Sequence, residues 1–422
     1  MRFGRGMPAV VALTTGLLVF TGAPPAVAGP SDDAVIAAVQ QATLTASDPR
    51  GGSYFGFSVD VSGTTAVVGA LFASTPAGQF AGAAYVFVRS GETWTEQAKL
   101  TASDGLAGYP FGGSVAIEGD TVVVSGTGSA GEGGSPGAAY VFVRSGTTWS
   151  QQVKLTASDG ASGDAFGSSL ALSGNTLLVG AAGDDNAAGI DAGAAYAFVR
   201  SGATWTQQAK LTAADAIEED RFGGSVALSG DTALIGSYSG GPIGTGAAYA
   251  FQRSGTTWTE QAKLTGQDPQ QGDLFGADLA LSATTAVIGG YGDDTARGVD
   301  SGSATVFVRS GNTWTQQAVL LARDGQANDG FGYSVDISGN RAVVGAYLDS
   351  HHNLSAAGSA YRFLRSSGTW SLQVKVTAPD ATAGAHFGVS VAIDADTAIA
   401  GANFAETTGD DAGAAYVYWK SA

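Results

Sequence analysis

The chain is written in short apolar segments whose residues alternate in size with a period of two. In Phe111 to Ile117, the residues Phe111, Val115 and Ile117 point to one side, and Gly112, Ser114 and Ala116 to the other. A period of two is the signature of a strand, and the β-branched and aromatic content of these segments agrees with it. Four kinds of segment follow one another. The first is Phe-Gly-x-Ser-Val-Ala-Ile (Phe111 to Ile117) and the second Thr-x-x-Val-Gly-Ala (Thr176 to Ala181). The third is Gly-Ala-Ala-Tyr-Val-Phe-Val (Gly82 to Val88) and the fourth Trp-Thr-Gln-Gln-Ala-Lys-Leu-Thr-Ala (Trp205 to Ala213). Gly119-Asp120, Gly174-Asn175 and Gly230-Asp231 supply hairpin turns between the first two, and Arg-Ser-Gly turns such as Arg144 to Gly146 join the last two. No segment carries a helical stripe.

The set of four repeats seven times. Phe-Gly pairs recur at Phe55, Phe111, Phe166, Phe222, Phe275, Phe331 and Phe387, at steps of 53 to 56 residues. Both sides of the first strand are uncharged, one bulky and one small. A sandwich leaves one side polar, whereas blades stacked face to face bury both. The two ends of the chain argue for a closed ring. The last copy stops after its third segment, Tyr416 to Trp419, while Gln40 to Asp48 matches the fourth segment Gln151 to Asp159. An N-terminal strand that completes the C-terminal blade removes an open edge. The predicted fold is therefore all-β: a seven-bladed β-propeller of four-stranded antiparallel blades, spanning residues 39–422 and closed by its N-terminal strand.

Phe-Gly-x-Ser-Val-Ala, Val-Gly-Ala and Gly-Ala-Ala-Tyr-Val-Phe together resemble the FG-GAP repeat, the unit of the integrin α-subunit head propeller and of many bacterial exported proteins. The resemblance covers residues 39 to 419 and implies adhesion or recognition as the common use of the scaffold. It also implies calcium loops between the first two strands of some blades. Here that connection shrinks to Ser229 to Thr232 or Ser173 to Thr176. A turn that tight cannot offer six to eight oxygens, so those sites do not carry over.

Composition narrows the setting. Arg2 and Arg5, the apolar run Met7 to Phe20 and the small residues Ala26-Val27-Ala28 read as a signal peptide over residues 1–28, cleaved near Gly29, with a short lead over 29–38. The mature protein is expected to be secreted, without membrane insertion or a C-terminal anchor. There is no cysteine, which excludes disulfides, thiolate metal sites and a cysteine nucleophile. The formal charge of −17 argues against nucleic acid and anionic membranes as partners.

Antiparallel alternation puts the second-to-third loops and the blade-to-blade crossovers on one face. Twenty-four of the 37 acidic residues fall there. The binding candidates are Asp184, Asp185, Asp191, Asp293, Asp294, Asp300, Asp349, Asp410 and Asp411 in the loops, with Glu218, Glu219 and Asp220 in a crossover; Glu132 and Glu406 are further loop acids. Asp184, Asp185 and Asp191, and likewise Asp293, Asp294 and Asp300, have a spacing that could chelate calcium, although solvated loop carboxylates making Asx turns are the favoured reading. No cofactor is otherwise implied.

Seven aspartates end the fourth strands (Asp48, Asp104, Asp159, Asp215, Asp268, Asp324 and Asp380), and their recurrence reads as a shared turn cap. Six tryptophans that open those strands read as packing between blades. His351, His352 and His386 reach the same face, where a metal site of histidine with Asp349 stands beside the favoured reading of exposed loop histidines. No nucleophile, base and acid fall into a catalytic order. The expectation is a monomeric, non-enzymatic module that binds an extracellular protein or glycan through the acidic face. An exported hydrolase or lyase, metal-assisted in one form, and a structural module of the cell envelope are the other classes open to this scaffold.

Overall fold

The glycine of each Phe-Gly pair is fixed by its backbone. Gly56 sits at φ +89°, and a Cβ there would lie 2.2 Å from the carbonyl oxygen of Ala414 in the neighbouring blade. Only glycine tolerates both conditions. The glycine of Val-Gly-Ala answers to packing alone: a Cβ on Gly401 would lie 1.9 Å from Gly56 O. The two glycines of the repeat thus mark where adjacent blades touch backbone to backbone.

The computed structural model describes residues 38–126, 135–240 and 244–420. The expected signal peptide, the lead up to residue 37 and Glu132 lie outside them. The described residues form 28 strands in seven four-stranded antiparallel sheets, with no helix among them. Blades are numbered here from the Phe-Gly pair that opens each. Blade 3 is typical, with strands Phe166–Ser173, Thr176–Ala181, Ala194–Ser201 and Thr204–Leu211 paired in that order. In blade 7 the fourth strand is Ala38–Leu44, which pairs antiparallel with Ala414–Lys420 and sets Thr43 opposite Tyr416. The ring is closed as the end-matching of the sequence predicts.

Seven buried clusters fill the seven blade junctions. At the junction of blades 1 and 2, Val67, Ala84, Val86 and Leu100 meet Phe111, Val115, Ile117, Tyr140 and Phe142. At the closing junction, Ala392, Ile399, Ala415, Val417 and Leu44 meet Phe55, Val59, Tyr85 and Phe87. The small side of one blade therefore receives the bulky side of the next. Burying each large side chain contributes about 1.5–3 kcal/mol, so every junction is a core of its own.

Polar ties cross the same junctions. The indole of Trp149 donates to Gln97 Oε1 at 2.8 Å, that of Trp205 to Gln152 at 3.1 Å and that of Trp258 to Gln208 at 3.0 Å, each in the preceding blade. On the face of the short turns, Arg144 stacks on Trp149, donates from Nε to Asp120 and reaches Thr65 of blade 1 with NH1 at 3.1 Å. Arg200 repeats this with Trp205, Asn175 and Thr121, and Arg253 with Trp258, Asp231 and Thr176. These arginines are engaged in structure, so the short-turn face carries less free positive charge than the arginine count implies.

Candidate functional site

Each described second-to-third loop leans on the crossover that follows it. Gly108 N donates to Gln79 O, Glu219 N to Ile190 O, Asn328 N to Val299 O and Gly384 N to Ser355 O, at 3.1, 2.9, 2.9 and 2.8 Å. Loops and crossovers thus form one continuous face. The first strands of all blades surround a central cavity of about 480 Å³, lined in part by Asp60, Asp278 and Asp336. An arc of rings runs over blades 5, 6, 7 and 1: Tyr291, Tyr333, Tyr347, His386, Phe404, Tyr54 and Phe72, each within 5.3 Å of the next. The sequence reading missed this arc, because its members come from three repeat positions that vary from blade to blade: the second-to-third loop, the crossover and, for Tyr333, the first strand.

The acids of the face divide into structural and free sets. The strand-ending aspartates are not turn caps. Asp104 accepts the Tyr140 hydroxyl at 2.9 Å and pairs with Lys154 at 2.6 Å, both in the next blade. Asp48 does the same with Tyr85 and Lys99, Asp159 with Tyr196 and Lys210, Asp215 with Tyr249 and Lys263, and Asp324 with Tyr361 and Lys375. The recurrence seen in the sequence therefore reflects a junction device. Turn capping falls instead to the buried crossover residues: Asp164 accepts the Ala161 amide, Asp220 that of Ile217, Asp273 that of Gln270 and Asp329 that of Gln326.

Three binding candidates are withdrawn from solvent. Asp184 and Asp349 are 2 % and 1 % exposed, and Asp220 is 3 %. Asp184 holds Lys210 at 2.9 Å and Tyr196 OH at 2.6 Å, while Asp349 holds Lys375 at 2.8 Å and accepts from Ser359. Asp185, Asp294, Asp300, Asp410, Glu218 and Glu219 are exposed, and Asp191, Asp293 and Asp411 half-buried. The two aspartate triplets do not converge on a cation. Asp185 accepts the Asp191 amide at 2.8 Å, Asp191 pairs with Arg221 at 2.9 Å, and Asp294 accepts the Asp300 amide at 2.9 Å. Among the described residues no group of three or more histidines or acids is placed to hold a metal ion.

The histidines are also accounted for by structure. His351 sets Nε2 3.1 Å from Gly358 O, the loop-tying place that Asn186 fills toward Gly193 O in blade 3. His386 lies edge-on between Tyr347 and Phe404, and burial pushes its imidazole below the ordinary value. Asp349 is engaged by Lys375 and Ser359 and joins no metal-holding group with the histidines among the described residues.

The model of the FG-GAP repeat matches residues 38–87, 94–142, 149–198, 205–251, 258–307, 314–363 and 370–418. The chain belongs to the FG-GAP repeat family. Each FG-GAP match begins in a fourth strand and continues through the first three strands of the next blade, so the family unit straddles a junction. That offset puts a strand-ending aspartate and the tyrosine it receives in one FG-GAP unit. A comparison with curated proteins gave no match.

Proposed function

We propose that this FG-GAP propeller is a recognition module, not an enzyme, and that it works outside the cytoplasm by binding a protein through its loop face. The observation that carries this reading is the location of exposed apolar side chains. Phe80, Leu106, Ile190, Ile217 and Val299 are the strongly exposed large hydrophobics of the described residues, at 44–60 % exposure, and all five sit on the loops and crossovers of this one face. Exposed apolar tips among free acids make a surface suited to a protein partner with basic residues around an apolar patch. The other face is built of tight turns, where Arg144, Arg200, Arg253 and Arg365 are already stacked on tryptophans.

The reading is tested with immobilised wild-type protein and two variants, Ile190→Ser/Val299→Ser and Asp185→Asn/Asp294→Asn/Asp410→Asn. Proteins from an extracellular fraction that bind wild type at physiological salt are expected to be lost from both. Equal retention by all three proteins sinks the loop-face reading.

A further inference from the structure

Blade 5 lacks both the tyrosine and the lysine that meet the strand-ending aspartate in blades 1, 2, 3, 4 and 6, whereas blade 7 keeps the tyrosine, Tyr416, and has Thr43 in the lysine's place. In blade 3, Lys210 Nζ sits 2.8 Å from Asp159 and 2.9 Å from Asp184, and in blade 6, Lys375 Nζ sits 2.7 Å from Asp324 and 2.8 Å from Asp349. Each ammonium also lies over the ring of the paired tyrosine, Tyr196 or Tyr361. In blade 5 the same register places Thr305 opposite Val319. The two carboxylates remain, as Asp268 and Asp293. The absent ring and ammonium leave a cavity of about 290 Å³, whose lining includes Asp268, Asp273, Asp293, Phe275, Thr305 and Val319.

The cavity holds carboxyls without an internal cation. Asp273 is 7 % exposed and its crossover equivalents Asp164 and Asp329 are buried alike. Burial pushes Asp293 up to about 6; its bond with Ser303 works against this, and the charges of Asp273, Asp268 and Asp294 add to the rise. Asp273 is displaced in the same direction, first by burial, with Asp268 and Asp294 adding to it. Both groups would be relieved by a positive charge placed between them and Asp268.

We propose that this cavity binds a primary alkylammonium group supplied from outside, its charge set between Asp268 and Asp293 and its stem laid against Val319 and Phe275. Blades 3 and 6 show the equivalent carboxylates holding an ammonium in this manner, so the molecule carries its own ligand twice over. An ammonium is a compact point charge that meets two carboxylates from different elements, a geometry that a planar guanidinium fork does not match. The occupant is the lysine side chain of a protein partner, which rests on the loop face being the binding face.

The test is an NMR titration of the full mature protein with Nα-acetyl-lysine amide, Nα-acetyl-arginine amide and n-butylammonium. Wild type is expected to bind the two ammonium probes saturably and the arginine probe at least about tenfold more weakly. Affinity for the ammonium probes should rise severalfold from pH 5 to pH 7.5, as Asp293 ionises. Thr305→Tyr/Val319→Lys, which rebuilds the sister-blade arrangement, should weaken both ammonium probes at least about tenfold. Val319→Met, which fills the stem channel without a charge, should do so too, and it serves if the double variant fails to fold. A lysine probe bound more tightly than n-butylammonium identifies a side chain as the source; the reverse order points to a free amine and overturns the partner-lysine assignment. Absence of saturable ammonium binding by wild type, or binding undiminished in Val319→Met, overturns the cavity itself. Asp185→Asn/Asp410→Asn lies outside the cavity and should leave the titration unchanged, so a loss of partner capture in that variant bears on the loop face alone.

Discussion

Trp370 donates its indole N–H to Gln317 Oε1 at 2.9 Å, from blade 6 into blade 5, with the tryptophan 1 % exposed. The same bond joins Trp94 to Gln41 at the closing junction, at 2.8 Å, but there the ring keeps partial exposure. One repeat position thus offers two environments in which to weigh the same hydrogen bond.

Gln317→Leu strands a buried donor and should cost about 1–3 kcal/mol, whereas Gln41→Leu should cost less because water can replace the lost acceptor. Urea unfolding of the two variants checks the order. Equal losses would mean that the bond, and not its burial, sets the energy.

The lysines of the junction device also fall into two environments. Lys154 pairs with Asp104, which is about half exposed, while Lys210 pairs additionally with Asp184 at 2 %. Lys154→Met should cost no more than about 1 kcal/mol, the usual range of a surface pair. Lys210→Met leaves a buried carboxylate uncompensated and should cost about 3–5 kcal/mol. The difference in unfolding free energy between the two variants is the measurement, and parity would count against the buried pairing of Asp184.

Stability should fall as pH rises from about 5 to 8. Burial at the channel wall pushes the carboxyls of Asp60, Asp278 and Asp336 up to about 8, about 7 and about 6. Each accepts two backbone amides, such as Val61 and Ile117 for Asp60, and these oppose the rise without cancelling it. Between the unfolded value of 3.8 and the raised value the folded state binds more protons, so the stabilisation is full below that window and is lost through it. In the opposite sense, burial resists but the lysine and tyrosine bonds hold Asp48, Asp159, Asp215 and Asp324 below 3.8, a contribution lost only in stronger acid. Urea midpoints at pH 5 and pH 8 decide the matter; a higher midpoint at pH 8 contradicts the assignment.

Removing the chain up to Asp48 takes away the fourth strand of blade 7 and the acceptor of Tyr85 and Lys99. The edge of Ala414–Lys420 is then bare, and a bare edge invites pairing with another molecule. The truncated protein should melt at a lower temperature or self-associate on a sizing column. A monomer of unchanged melting temperature would deny the closing strand its role.

The fold was legible because its constraints repeat. Phe-Gly states a backbone requirement seven times, the glycine of the Val-Gly-Ala position recurs six times with Ser125 in blade 2, and the unfinished last copy marks the closure; the structure places Gly56 and Gly401 where a side chain cannot fit. The face that gathers the loops was legible too, since strand alternation fixes it. The state of each acid was not. Asp184 and Asp185 are neighbours of one residue type, yet one is buried against Lys210 and the other exposed, because a loop turn and a junction lysine separate them. Equally hidden was the meaning of Thr305 and Val319. Each is an ordinary strand residue, and only the register across to Asp268 and Asp293 turns their presence into a vacancy on the sister-blade plan.

The strand Ala38–Leu44 carries a consequence for assembly. It emerges from the ribosome before every other strand described, yet its partner Ala414–Lys420 emerges last. The ring therefore cannot be latched until Ala414–Lys420 has been made, and Ala38–Leu44 must wait without its partner until then. A chain cut short before Ala414 would keep that strand free and its own edge open at once. Only a chain that reaches Ala414–Lys420 can cover both of these edges.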